Sequence, residues 1–258
     1  MATGGVIGRF AEQVRQQGAL SAWVGLNDPF VAATLAREAF DAVTLDMQHG
    51  AVDFAGAARA ILVVAGAGKA TLARIPLGDF ATASRLADAG AAGVIAPMID
   101  SAEDARRFAE FMKFPPLGRR SWGPRAAASL SGLSGLDYLK AANGFTLAIA
   151  MVETREALDA LDDIVATDGI DGVFVGPSDL AITLSNGASV EAHGAPVSEA
   201  IDRIVACVKA RGKFCGLWCV DGARAKYASS RGVAFCTVSS DQLLMRAAAR
   251  AELAAARS

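Results

Sequence analysis

Eight short apolar, β-rich runs alternate with Ala-rich stretches of helical period along almost the whole 258-residue chain, and no other feature restricts the fold as tightly. The candidate strands are Leu20–Gly25, Ala42–Met47, Thr71–Ile75, Gly93–Met98, Thr146–Glu153, Gly172–Gly176, Phe214–Cys219 and Val233–Ser239. Between them lie helical patterns such as "DFAGAARAILVVAGAG", "DFATASRLADAG", "SAEDARRFAEFMK", "TREALDALDDIVATDG" and "VSEAIDRIVACVKARG". "GRFAEQVRQQG" predicts a helix before the first strand, and "DQLLMRAAARAELAAA" one after the eighth. Apolar strands joined by helical crossovers require a parallel sheet covered on both faces. Eight such units in about 250 residues is the count and length of a (β/α)8 TIM barrel, an α/β fold, here one domain over residues 1–258. An open doubly wound sheet is the alternative. It usually carries a Gly-rich phosphate loop after its first strand, and "WVGLNDPF" is not one. The Gly/Ser-rich stretch 114–145 is too long for a plain crossover and reads as a lid or binding loop.

Composition narrows the function. A hydrophobic content of 53% with a formal net charge of −2 suits one large soluble domain. Without a Lys/Arg block there is no footprint for nucleic acid. No apolar run approaches the roughly 18 residues of a membrane span. "MATGGVIGRFAEQVRQQG" turns polar too soon for a secretory signal. Cys207, Cys215, Cys219 and Cys236 form no C-x-x-C pair and read as free thiols rather than disulfides or zinc ligands. A cytoplasmic protein is expected.

In a barrel the C-terminal strand ends converge on one mouth, where the chemistry sits. Those ends supply Trp23, Asp46 with His49, Arg74, Pro97–Met98, Glu153, Ser178–Asp179, Trp218 and Ser239–Ser240. An Asp after a strand is often a helix N-cap, and Asp41, Asp53, Asp79, Asp221 and Asp241 are read as caps or turn residues. Glu153 differs, because it ends the uncharged run Thr146–Val152 and its helix has its own starter, Thr154. Asp179 follows the stiff turn in "GVFVGPSDL", where Gly176 permits unusual backbone angles and Pro177 fixes one. None of the six lysines (Lys69, Lys113, Lys140, Lys209, Lys213, Lys226) ends a strand, so a Schiff-base enzyme lacks its nucleophile. There is also no Gly-x-Ser-x-Gly elbow, dinucleotide fingerprint or P-loop.

What remains is oxygen ligands and an arginine. Glu153 and Asp179 follow adjacent strands, so their carboxylates can meet at one ion. Two carboxylates, with the other positions left to water and substrate, suit Mg²⁺ or Mn²⁺. A 2-oxo acid can chelate such an ion, and Arg74 adds positive charge where an enolate would develop. The N–H groups of Ser178 and Asp179, at a helix start, offer a place for the substrate carboxylate.

At these residues the sequence resembles the HpcH/HpaI aldolase family of metal-dependent pyruvate aldolases, within the phosphoenolpyruvate/pyruvate barrel superfamily. The matching segments are "DAVTLDMQHG", "ARIPLGD", "LADAGAAGVIAPMIDSAEDA", "FPPLGRRSWG", "VETREALDALDDIVATDGIDGVFVGPSDL" and "FCGLWCVD", in family order through almost the whole chain. The resemblance implies a (β/α)8 barrel with a domain-swapped C-terminal helix, assembled as a homohexamer, a trimer of dimers. It implies class II aldolase chemistry: reversible retro-aldol cleavage of 4-hydroxy-2-oxo acids, of the 2-keto-3-deoxy sugar acid or 2,4-dihydroxyhept-2-ene-1,7-dioate type. The small-molecule partners would be pyruvate or hydroxypyruvate plus an aldehyde. By the same resemblance Glu153 and Asp179 are the metal ligands, for Mg²⁺ or Mn²⁺ first and Co²⁺ or Zn²⁺ as further options. Arg74 matches the arginine that contacts pyruvate, and His49 the acid/base histidine. Asp88 matches an aspartate that supports that histidine from a neighbouring subunit. Trp23 and Asp46, which match mouth positions, Arg120, which matches a family arginine, and Ser178 and Trp218 are all assigned to substrate binding. The chain departs from the family at Gln48, where Glu is common, at Met151, where many members have Gln, and at Trp218, where an aliphatic residue is usual. Alternatives on the same barrel are an acyl-CoA lyase, for which only the Arg119–Arg125 loop offers a basic groove, and a 2-oxo-acid decarboxylase. A non-catalytic 2-oxo-acid-binding protein is a third.

Overall fold

A computed structural model describes residues 4–258. In chain order the elements are α1 (Gly5–Gln16), β1 (Ala19–Val24), α2 (Pro29–Ala36), β2 (Ala42–Asp46), α3 (Phe54–Gly66), β3 (Ala70–Arg74), α4 (Phe80–Ala89), β4 (Gly93–Ala96), α5 (Ala102–Met112), α6 (Arg125–Ser131), α7 (Gly135–Phe145), β5 (Leu147–Val152), α8 (Arg155–Asp159), α9 (Leu161–Ala166), β6 (Gly172–Val175), α10 (Pro177–Leu184), α11 (Ala195–Ala210), β7 (Phe214–Cys219), α12 (Gly222–Ser230), β8 (Phe235–Val238) and α13 (Asp241–Arg257). The eight strands pair in sequence order and all in parallel, and β8 closes on β1. The fold is a (β/α)8 TIM barrel. All eight expected strands are present, because strands buried on both faces read as unbroken apolar runs.

One helix is unforeseen and one expectation is corrected. Helix α2, capped by the Asp28 side chain on Phe30 N–H, has no counterpart in the sequence reading. The stretch 114–145 is not one long loop, since it holds α6 and α7, separated by Gly132 in the left-handed conformation (φ 69°). It also lies between α5 and β5, at the N-terminal end of the barrel, so it is no lid over its own mouth.

One buried cluster fills the barrel and continues into α1. Phe10 of α1 meets Phe235 edge-on at 5.8 Å and stoppers the N-terminal end. A second cluster lies between the strands and the surrounding helices. Asp53, Asp79 and Asp221 are N-caps, as expected. Asp241 instead accepts from Gly25 N–H (3.1 Å) and Leu26 N–H (2.9 Å), fixing the exit of β1. Helix α13 buries only this residue of its seventeen, and its Leu243, Met245 and Leu253 are exposed. All four cysteines are free thiols. No helix among the described residues is long and apolar enough to cross a membrane.

Candidate active site

The strand register puts Asp46 beside Arg74 at the ends of β2 and β3. Their side chains form a two-pronged ion pair, Arg74 Nε to Asp46 Oδ1 at 2.9 Å and Arg74 Nη2 to Oδ2 at 2.8 Å. Asp46 Oδ2 also accepts from Trp23 Nε1 (3.3 Å), and Oδ1 accepts the N–H groups of Gln48 (3.1 Å) and His49 (3.3 Å). The Trp23 ring lies under the guanidinium, 4.9 Å from Cζ, and stacks on Phe174. Burial works to raise the Asp46 carboxyl. The hydrogen bond and charge of Arg74, with the two amides, outweigh it and hold the group below the usual carboxylate range. Arg74 Nη1 makes no hydrogen bond among the described residues, so one nitrogen of the buried cation is left for a ligand. Gly50 lets the His49 loop turn back on β2, since a Cβ there would come 2.3 Å from Asp46 O.

Glu153, at the end of β5, is only 2% exposed, and its one hydrogen bond is from Met98 N–H to Oε1 at 3.0 Å. Burial above all, with the negative charge of Asp179 adding to it, pushes the Glu153 carboxyl up to about 7, against the pull of Met98 N–H and Arg74. Neither Glu153 nor Asp179 belongs to any ion pair among the described residues. Two neighbouring carboxylates without an ion-pair partner are a donor set suited to a cation. No group of three or more His, Cys, Asp or Glu among the described residues is placed to hold a metal, so a closed structural zinc cage does not fit. A hard cation that keeps water or substrate as its other ligands does.

Gly176 explains how the two carboxylates come together. Its backbone is ordinary (φ −93°, ψ 94°), which corrects the expectation of unusual angles. What the position needs is space: a Cβ there would come 2.2 Å from Glu153 Oε2 and 2.6 Å from Met151 Cε. Pro177 then opens α10, whose first turn carries Asp179 and has no side-chain cap. The N–H groups of Ser178 and Asp179 accordingly face no partner, a ready anion site.

The other expected residues divide into two places. Trp218, half-buried on β7, lies against the barrel-interior cluster that holds Trp23, Phe174 and Met151, and exposed His49 lies just past β2. Asp88 and Arg120 are not at this mouth. They meet at the N-terminal end, Arg120 Nη2 to Asp88 Oδ1 at 2.5 Å, with the Arg120 guanidinium over Phe114. The basic loop that an acyl-CoA lyase would need is at that same far end. Sequence reasoning missed the Met98 amide as a partner of Glu153, and it missed Asp100, whose carboxylate accepts from Thr154 Oγ1. The backbone geometry that aims the amide leaves no mark on residue type.

Residues 20–248 match the family model described as HpcH/HpaI aldolase/citrate lyase. The chain is 38% identical to a hydroxypyruvate/pyruvate aldolase of Rhizorhabdus wittichii over 93% of this chain and 94% of the relative. It is 31% identical to a 5-keto-4-deoxy-D-glucarate aldolase of Salmonella gallinarum over 90% of each. Among solved structures it is similar to an HpcH/HpaI aldolase/citrate lyase family protein from Burkholderia cenocepacia, with a TM-score of 0.86, 29% identity, and 97% and 99% of the two chains covered.

Proposed function

The chain belongs to the HpcH/HpaI aldolase/citrate lyase family, and from that premise we propose that it cleaves 4-hydroxy-2-oxo acids reversibly to an aldehyde and pyruvate or hydroxypyruvate, with a divalent cation held by Glu153 and Asp179. It is a carbon–carbon lyase, an aldolase of this family. The observation that carries the finer reading is the pair of buried Glu153 and half-buried Asp179, neither of them in an ion pair, beside the Arg74–Asp46 ion pair. Mg²⁺ or Mn²⁺ suits those oxygen donors best. When bound, the ion supplies Lewis acidity to the 2-oxo group.

The chain's own residues do the rest. Arg74, held rigid by Asp46 and Trp23, presents Nη1 to the oxygen on which negative charge grows. The free N–H groups of Ser178 and Asp179 orient the substrate carboxylate. His49 takes the proton from the 4-hydroxyl, and when the C3–C4 bond breaks a proton returns to C3. Asp88, oriented by Arg120, is assigned to a neighbouring subunit's His49, since it lies at the wrong end of its own barrel for the mouth. Trp218 narrows the aldehyde side. The unpacked α13 supports exchange of this helix between subunits in a homohexamer. So does an apolar cavity of about 650 Å³ between α2 and α12, lined by Leu20, Leu35, Phe40, Ala225 and Val238.

The test is aldol formation from pyruvate, and from hydroxypyruvate, with a simple aldehyde. Activity is expected with Mn²⁺ or Mg²⁺ and none after chelation. Full turnover in thoroughly metal-free protein would overturn the proposal.

A further inference from the structure

The connection after β4 contains an unexpected conformation. Met98 has φ 51°, and only Asn186 and Ser239 share a positive φ among the described non-glycine residues. A side-chain-bearing residue takes this left-handed conformation at a cost in free energy. Such positions persist where the surroundings fix them, and they gather at functional sites. Here Pro97 has no N–H, so the Met98 amide is the first donor after β4. It points at Glu153 Oε1, 3.0 Å away. The next amide, Ile99 N–H, reaches the main-chain oxygen of Met151 at 3.2 Å. An extended residue at 98 would send its two flanking N–H groups to opposite sides. The left-handed turn brings both onto the end of β5. The Ile99 bond and the Asp100–Thr154 contact already close the loop onto β5. The Met98 amide is therefore not needed for closure. Its partner is the carboxylate alone.

We infer that Met98 is a positioning residue, whose left-handed backbone aims its amide at Glu153 Oε1 and so fixes the orientation in which this carboxylate meets a divalent cation shared with Asp179. The inference rests on the metal assignment above. Glu153 Oε1 is then held by an amide, while Oε2 occupies the space that a Cβ at Gly176 would fill. The Met98 side chain, half-buried, is incidental to this role. Groups that orient a metal's ligands commonly change affinity by about 10- to 100-fold when lost.

The experiment is Mn²⁺ binding to the full chain, followed by electron paramagnetic resonance and calorimetry. Replacing residue 98 by its α-hydroxy-acid analogue exchanges only the N–H for an ester oxygen. Mn²⁺ binding should weaken about 10-fold or more, with little change in the unfolding temperature of the metal-free chain. Met98→Leu and Met98→Gly, which keep the amide and tolerate the turn, should stay within about 3-fold of wild type. Met98→Val guards against a misfolded ester. Its branched side chain resists φ > 0, so it should weaken binding while Met98→Gly does not. Wild-type affinity in the ester, or equal affinities in the Val, Leu and Gly variants, overturns the role of Met98. Glu153→Gln separates the two claims: if it binds Mn²⁺ as wild type does, the metal assignment itself fails. If it loses binding while the ester does not, only the inference about Met98 fails.

Discussion

At the N-terminal end of the barrel the Lys113 ammonium is buried, its side chain 1% exposed, and donates to Asn143 O (3.0 Å), Thr146 O (2.6 Å) and Asp171 Oδ2 (2.6 Å). Asp171 in turn accepts from Arg15 (2.9 Å) and Ala148 N–H (2.8 Å). At the C-terminal mouth Glu153 is as deeply buried, but it receives one amide and faces a second carboxylate. Burial shifts both groups, lowering Lys113 and raising Glu153. A displaced pKa therefore does not mark a site in this molecule. The missing counter-charge does. The far end uses its charges to hold α1, α5, β5 and β6 together, whereas Glu153 and Asp179 at the mouth have no ion-pair partner among the described residues.

The sharpest way to break this comparison is to remove the unanswered pair. Glu153→Gln or Asp179→Asn should reduce lyase turnover to background, with metal affinity lost and the circular-dichroism spectrum unchanged. Both variants should unfold no earlier than the metal-free wild type, because each relieves like-charge repulsion. A variant that unfolds early would place these carboxylates with the structural group at the other end.

A second test asks whether the two ends of different chains cooperate. His49→Ala and Asp88→Ala should each slow cleavage by about 100- to 10,000-fold, the usual worth of a general acid/base. The double variant should lose little more than either alone. Mixed assemblies of the two single variants should regain partial activity, since some interfaces would join an intact His49 to an intact Asp88. Additive losses with no recovery on mixing would leave Asp88 as only the ion-pair partner of Arg120.

The far end should respond in the opposite sense. Asp171→Ala leaves the Lys113 ammonium facing two carbonyl oxygens in a buried site. Breaking a buried pair in this way typically costs about 3–5 kcal/mol. The loss should appear in denaturant unfolding, while kcat/KM of the folded fraction stays within about 3-fold of wild type. A large fall in kcat/KM without a stability change would dissolve the division between the two ends.

The fold was more legible than the site, for a physical reason. Strands such as Ala42–Asp46 and Gly172–Val175 are buried on both faces, so their apolar runs announce themselves. Helices α6 and α7 hide in a Ser/Gly-rich stretch whose turns resemble loop residues. Residue type and strand position sufficed to place Glu153, Asp179, Arg74 and Asp46 at the mouth. Their pairing was not visible: Arg74 spends two nitrogens on Asp46, a consequence of barrel register rather than of spacing in the chain. Gly176 was noticed for the wrong property, since its value is the absent Cβ and not its freedom of angle. Met98 was placed at the mouth by its strand end, but the aim of its amide was not visible, because a left-handed φ in a residue other than glycine is a product of the surrounding fold.

The smallest effect expected is a pH dependence of stability that carries the sign of the mouth. In the metal-free chain the Glu153 carboxyl lies near 7, against an ordinary value of 4.5, so the folded state favours the protonated form. Its contribution is fully present below about 4.5 and is lost as the pH rises through about 7. The metal-free wild type should therefore lose up to about 3 kcal/mol across that interval relative to Glu153→Gln. Asp46 cannot mimic this, because its folded pKa is depressed and its contribution is lost only as the pH falls below its ordinary 3.8. Saturating Mn²⁺ should cancel the slope in the wild type, as the cation replaces the proton, and proton release on Mn²⁺ binding should grow as the pH is lowered from 8 toward 6. Parallel stability profiles for wild type and Glu153→Gln between pH 5 and 8 would show that Glu153 is solvated in solution, and with that the contrast between an answered and an unanswered buried charge would disappear.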